Sequence, residues 1–185
     1  MGIAYKNFWS LNTDEAVVIG ILREGTPKNI EVFMPANAQM KDIDLVIMNM
    51  KNKKAVTVQV KGSRAYEPKK SEVEKFGDGS GGWFYFNKKV VHKSSADIFI
   101  FLVYVLEENK KAGRRNIHPH IVVIPTRELK ILCKKYKRPG MRGMYNFFLW
   151  VNPTKKKALE FRDKIYDLSK YLDRKGIEKL NAKLK

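Results

Sequence analysis

The feature that most constrains this chain is a pair of β-rich segments joined by a very short polar turn. DIDLVIMNM spans residues 42–50 and AVTVQVKG spans residues 55–62, with Asn52, Lys53 and Lys54 between them. So short a link predicts an antiparallel hairpin. Side chains along a strand alternate, so Val56, Val58 and Val60 share one face while Gln59 and Lys61 share the other. A hairpin turning near Lys53 brings Asp44 to the same open end as residues 59–61. An acid, an amide and an ammonium then converge in an otherwise apolar sheet. Charges in such surroundings are costly unless they are paired or bound to a metal. The plainer alternatives are an edge or turn role for Asp44 and a solvated strand-end position for Lys61.

The elements around the hairpin predict an α/β domain with a central mixed sheet flanked by helices. Asn12, Thr13 and Asp14 are helix starters and Gly25 with Pro27 is a stop, so EAVVIGILRE between them reads as a helix packed on the sheet. Residues 29–34, 83–86, 97–106, 118–125 and 147–151 read as further strands. Residues 63–80 read as a long mobile loop ending in glycines. Thr126 caps a helix that ends before Pro139 and Gly140. From Thr154 the stripe Ala158, Phe161, Ile165, Leu168 and Leu172 predicts a long amphipathic helix, broken at Gly176 and followed by a short tail helix. Residues 1–185 are thus read as a single domain, with 154–185 a helical extension packed on it, serving as core or as an interface between two copies.

Charge narrows the function. Lys and Arg total 37 against 19 Asp and Glu, a net +18, which draws polyanions through a long-range field. Nucleic acid is the usual partner of such a field, and DNA is preferred here over RNA. The longest apolar run, Ile98 to Leu106, is too short to span a bilayer, so no membrane partner is expected. MGIAYKNFWSLNTDE lacks the continuous apolar stretch of a signal peptide, and the single cysteine, Cys133, fits a reducing cytoplasm. His118 and His120 share a strand face, but their spacing from Cys133 is no recognised zinc pattern.

The order helix, strand with Asp44, strand with Gln59-Val60-Lys61 resembles the PD-(D/E)XK nuclease superfamily, whose fold is the restriction-endonuclease-like one. The resemblance covers roughly residues 12–125 and is nearest to a branch in which glutamine replaces the second acid. It implies a Mg²⁺- or Mn²⁺-dependent endonuclease acting on DNA, in a group whose members often work as homodimers. By that resemblance Asp44 binds the metal, Val60 offers its backbone carbonyl, and Lys61 orients the attacking water or stabilises developing charge. Glu15 matches the helix carboxylate that completes the metal site. With Asn12 it also fits an N-terminal capping box. Glu24 and Asp42 are the substitute carboxylates. Gln59 removes one negative charge, which leaves two readings beside the nuclease. One is a weak or inactive nucleic-acid-binding module on the same fold; the other is a non-enzymatic basic protein that docks on RNA or the ribosome.

Basic residues outside the hairpin are candidates for phosphate contacts. Ser63 and Arg64 directly follow the motif, and Lys69 and Lys70 lie beyond them. KKYKRPGMRGMY, residues 134–145, offers Lys134, Lys135, Lys137, Arg138 and Arg142 with Tyr136 and Tyr145 interleaved. A solvated helix end explains that stretch equally.

Overall fold

A computed structural model describes residues 13–35, 42–109, 113–135, 143–162 and 164–185. Helix α1, Thr13–Gly25, opens with Asp14 and Glu15 and closes with Arg23, charges that suit the two ends of the helix dipole. It buries Val18 and Leu22. Strand β1 is Ile30–Phe33, β2 is Leu45–Asn49 and β3 is Ala55–Gly62. The expected hairpin forms: β2 and β3 pair antiparallel with Leu45 opposite Val58 and Ile47 opposite Val56. Lys53 takes a left-handed conformation at φ 61° to close the turn.

Beyond the hairpin come α2 (Lys70–Phe76), β4 (Ser80–Asn87), α3 (Lys88–His92), β5 (Ile98–Asn109), β6 (Arg114–Pro125), α4 (Thr126–Lys134) and β7 (Met144–Asn152). The chain closes with β8 (Lys157–Glu160), β9 (Tyr166–Asp167), a 3₁₀ turn (Ser169–Tyr171) and α5 (Asp173–Lys183). A five-stranded sheet has the order β1-β2-β3-β5-β6. Its β3–β5 pair is parallel and its other pairs antiparallel, so the central sheet is mixed, as expected. The strands β4-β7-β8-β9 form a second, antiparallel sheet that the sequence pattern did not separate from the first.

The central sheet is buried on both faces. On one, Val18 and Leu22 of α1 and Ile177 and Leu180 of α5 cover Leu45, Ile47, Val58 and Ile100. On the other, the second sheet lays Phe84 and Phe147 against Phe101, ring centres 5.0 and 4.9 Å apart. Each such fully buried side chain contributes about 1.5–3 kcal/mol relative to exposure. This two-sided burial explains the near-continuous apolar run of β5.

Three expectations are corrected. Residues 63–80 are not all loop, because α2 forms within them. The long helix from Thr154 is absent. Asn152 Oδ1 accepts from the Lys155 amide at 2.9 Å, and Lys156 turns left-handed at φ 50°, which reverses the chain after β7. β8 then pairs with the edge of β7, placing Ala158 opposite Val151. Apolar residues spaced for a helix are thus taken by a strand and turns, because pairing with an open strand edge satisfies the same backbone groups. Gly176 lies inside α5 and does not break it. A Cβ there would overlap the Tyr171 carbonyl, so glycine is what lets the helix pack so closely. Among the described residues no helix is long and apolar enough to cross a membrane.

Candidate active site

Asp44 stands just before β2, where its amide donates to the Val58 carbonyl at 2.8 Å. That bond fixes the residue at the open end of the hairpin. Its carboxylate turns onto β3, where Oδ2 accepts from Gln59 Nε2 and from the Val60 amide, each at 2.6 Å. Both bonds go to one oxygen. A strand residue's N–H and C=O point to the same side, so the Val60 carbonyl is also directed past the start of β2. Gln59 is buried and Lys61 is half-buried. The proximity of acid, amide and lysine expected from the pattern is therefore what the fold produces.

Electrostatics tie Glu15 to the same place. Burial pushes the Glu15 carboxyl above its usual value of 4.5, a bond from its own backbone opposes the rise, and the charges of Asp44 and Asp14 add to it. Burial also lowers the Lys61 ammonium below 10.5, against the pull of Asp44, Glu15 and Asp42 in that order. Glu15, Asp44 and Lys61 thus share one field. Glu24 sits exposed near the far end of α1, while Asp42 sits at a left-handed position, φ 71°.

Two residues beside the site were not read as site residues from the sequence: Asp14, taken only as a helix starter, and Tyr104. Asp14 lies over Gly62, where a Cβ would overlap its carboxylate. Asp14 Oδ1 also accepts from the Tyr104 hydroxyl at 3.3 Å, and Tyr104 is itself pushed up by burial and by Asp14. The one available signal was a glycine directly after Lys61, at a strand end approached by the start of a helix.

The basic candidates divide. The Ser63 hydroxyl is used internally: it accepts from the Trp83 amide at 2.9 Å and donates to the Arg64 carbonyl at 3.1 Å. Arg64, Lys69 and Lys70 are exposed on the segment that leaves the site. Lys69 opens α2, its amide donating to Glu72 Oε2 at 2.9 Å. Lys134 and Lys135 are exposed at the end of α4. Lys134 lines a hollow with Asp97 and Thr126, at the opposite end of β3 from Lys61, so it is not brought to the trio. Lys137, Arg138 and Arg142 lie outside the described residues. The two strand histidines and Cys133 do not converge. His120 Nδ1 meets Asp173 Oδ2 at 2.8 Å, His118 faces Glu107 at 3.6 Å, and the buried Cys133 thiol is pushed up to about 12.

Among the described residues no three His, Cys, Asp or Glu side chains lie close enough to hold a metal by themselves. Mg²⁺ does not need three: it keeps several waters and binds through one or two carboxylates with oxygen donors. Asp44, Glu15 and the Val60 carbonyl are all oxygen donors, the chemistry such an ion takes.

No family model matches this sequence, and no curated protein matches it. Among solved structures, a bacterial homing endonuclease aligns over 75% of this chain and 85% of its own, at 14% identity and a TM-score of 0.32. A likeness at that score assigns no chemistry to this chain.

Proposed function

We propose that this chain is a divalent-metal-dependent endonuclease that hydrolyses DNA phosphodiester bonds, with an active site of the PD-(D/E)XK type in its glutamine form. The observation that carries the reading is the convergence of Asp44, Gln59, Lys61 and the field of Glu15 on one open strand end. Asp44, Glu15 and the Val60 carbonyl would hold Mg²⁺ or Mn²⁺. When bound there, the ion polarises a phosphate oxygen and lowers the pKa of a coordinated water.

The chain's own residues do the rest. Gln59 and the Val60 amide hold one oxygen of Asp44, which fixes the carboxylate's orientation and leaves its other oxygen for a ligand. Lys61 has a lowered pKa yet sits among carboxylates, so its ammonium is held in a half-dry site. There it can hydrogen-bond to a scissile phosphate or an attacking water, and such a donor is worth far more than in bulk water. The net charge of +18 brings the duplex in.

Supercoiled plasmid incubated with Mn²⁺ tests this. Nicking by the wild type, lost in Lys61→Met and in EDTA, is the expected result. Equal nicking by wild type and Lys61→Met would defeat it. The neutral amide at position 59 also favours a second reading, in which the site grips DNA without turnover. Salt-sensitive DNA binding unaffected by Mg²⁺, with no cleavage, would select that one.

A further inference from the structure

The outward face of the second sheet carries aromatic rings where a solvated sheet face carries polar residues. On β4, Trp83 is 47% exposed and Tyr85 46%. Trp83 pairs directly with Phe148 on β7, and Tyr85 with Asn146. The Trp83 and Phe148 rings are near-parallel, 6° apart in plane with centres 6.1 Å apart. Farther along the same face, Phe76 of α2 covers Trp150 at 5.5 Å. The helix stops there; Phe161 packs on Phe148, ring centres 5.7 Å apart, while Trp83 and Tyr85 stay exposed.

Three observations identify what fits this surface. First, the Trp83 ring is anchored. Trp83 Nε1 donates to Asn146 Oδ1 at 3.2 Å, so the indole edge is fixed and its face is presented. Second, a cation adjoins the rings. The Arg162 guanidinium lies 5.9 Å from the centre of the Phe148 ring, and none of the residues paired across β4 and β7 on this face is acidic. A flat apolar face beside a guanidinium, on a chain of net charge +18, complements a flat ring carried on a polyanion. Third, the platform is fastened to the active site. The Trp83 amide is held by Ser63, two residues past Lys61. At about 3.3 Å per strand residue, the backbone of Trp83 lies on the order of 10 Å from that of Lys61.

We propose that Trp83 and Tyr85, with Phe148 packed beside Trp83, form a stacking platform for unpaired DNA bases, so that the substrate class is DNA with a single-stranded segment beside the cleaved bond. Only the position beside a cleaved bond rests on the nuclease reading. Stacking is tolerant of sequence, because every base has a flat face. The platform therefore selects for unpaired structure and not for a base order.

The test separates stacking from charge, and it separates this proposal from catalysis. Full-length protein in EDTA is titrated with a fluorescent oligo-dT strand and with an abasic strand of equal length and charge. The dT strand should bind about tenfold or more tightly than the abasic one, in line with one or two stacked bases. Trp83→Ala and Tyr85→Ala should bring dT down to the abasic level and leave abasic binding unchanged. Trp83→Phe, which keeps a ring, should retain most of the preference and serves if the alanine variants fold poorly. Equal binding of the two strands by wild type would overturn the proposal, as would an equal loss of both in Trp83→Ala. A wild-type dimer that Trp83→Ala dissociates, with no preference for dT, would give the face to a second copy instead and would also overturn it. None of these readouts needs metal or turnover, so a failure to nick plasmid would defeat the nuclease reading without touching this result.

Discussion

Replacing Asp44 by alanine tests whether its carboxylate organises the strand end. The variant strips an acceptor from two buried donors, the Val60 amide and Gln59 Nε2, both bonded to the same oxygen at 2.6 Å. Gln59 and Val60 are each only 5% exposed. A buried donor left unpaired costs about 1–3 kcal/mol. The sum is reduced because water can enter from the open end, so the expected loss is about 2–4 kcal/mol. Lys61 loses the first of the carboxylates that offset its burial, which acts in the same direction. Relief of repulsion with Glu15 is the smaller effect, since burial already holds that group toward its neutral form. Asp44→Asn keeps one carbonyl oxygen that can accept from both donors and loses only the charge, so it should cost about 1–2 kcal/mol. Urea denaturation in EDTA measures both. With a slope near ~3 kcal/mol/M for a chain of this size, Asp44→Ala should lower the midpoint by about 1 M. A midpoint for Asp44→Ala within experimental error of wild type would refute the network, and so would an asparagine variant as costly as the alanine one.

Other consequences can be measured separately. Glu15 has a folded pKa above 4.5, so its contribution to stability is full below pH 4.5 and is lost as pH rises through the folded value. Glu15→Gln should therefore gain on wild type between pH 4 and pH 7 in metal-free thermal melts; a steady loss over that range would contradict the assigned burial. Lys61 has a folded pKa below 10.5, so its contribution is present above 10.5 and lost as pH falls through the folded value. Lys61→Met should be the more stable protein at pH 7, by a margin that shrinks toward pH 10.5, while nicking falls on the order of 100-fold or more. Mg²⁺ at 100 times its dissociation constant should stabilise wild type by about 2.7 kcal/mol and leave Asp44→Ala unmoved in the same melts. Gly176→Ala would press a methyl group on the Tyr171 carbonyl and on Val123, and should cost about 1–3 kcal/mol by urea titration.

Much of the site was legible because it is local. The hairpin needs only alternation and a short turn, and these alone place Asp44 beside Gln59 and Lys61. The start of α1 was legible from its capping residues, but not which of its acids reaches the strand end. That depends on Asp14 lying over Gly62, a contact between residues far apart in sequence. The second sheet was illegible for a related reason. β4 and β7 are separated by more than fifty residues, and nothing in either strand says that it avoids the central sheet. The C-terminal segment misled because the spacing of Ala158, Phe161 and Leu168 fits a helix, whereas the free edge of β7 decides the outcome. The exposed ring of Trp83 was hidden inside a strand that looks uniformly apolar.

The most direct measurement is anomalous diffraction from crystals grown with Mn²⁺. A metal site built on Asp44 predicts one strong peak within about 2.0–2.3 Å of its carboxylate, on the side that also faces the Val60 carbonyl and Glu15. Ordered Asp44 with no peak beside it at saturating Mn²⁺, or Mn²⁺ bound only at other groups, would contradict it.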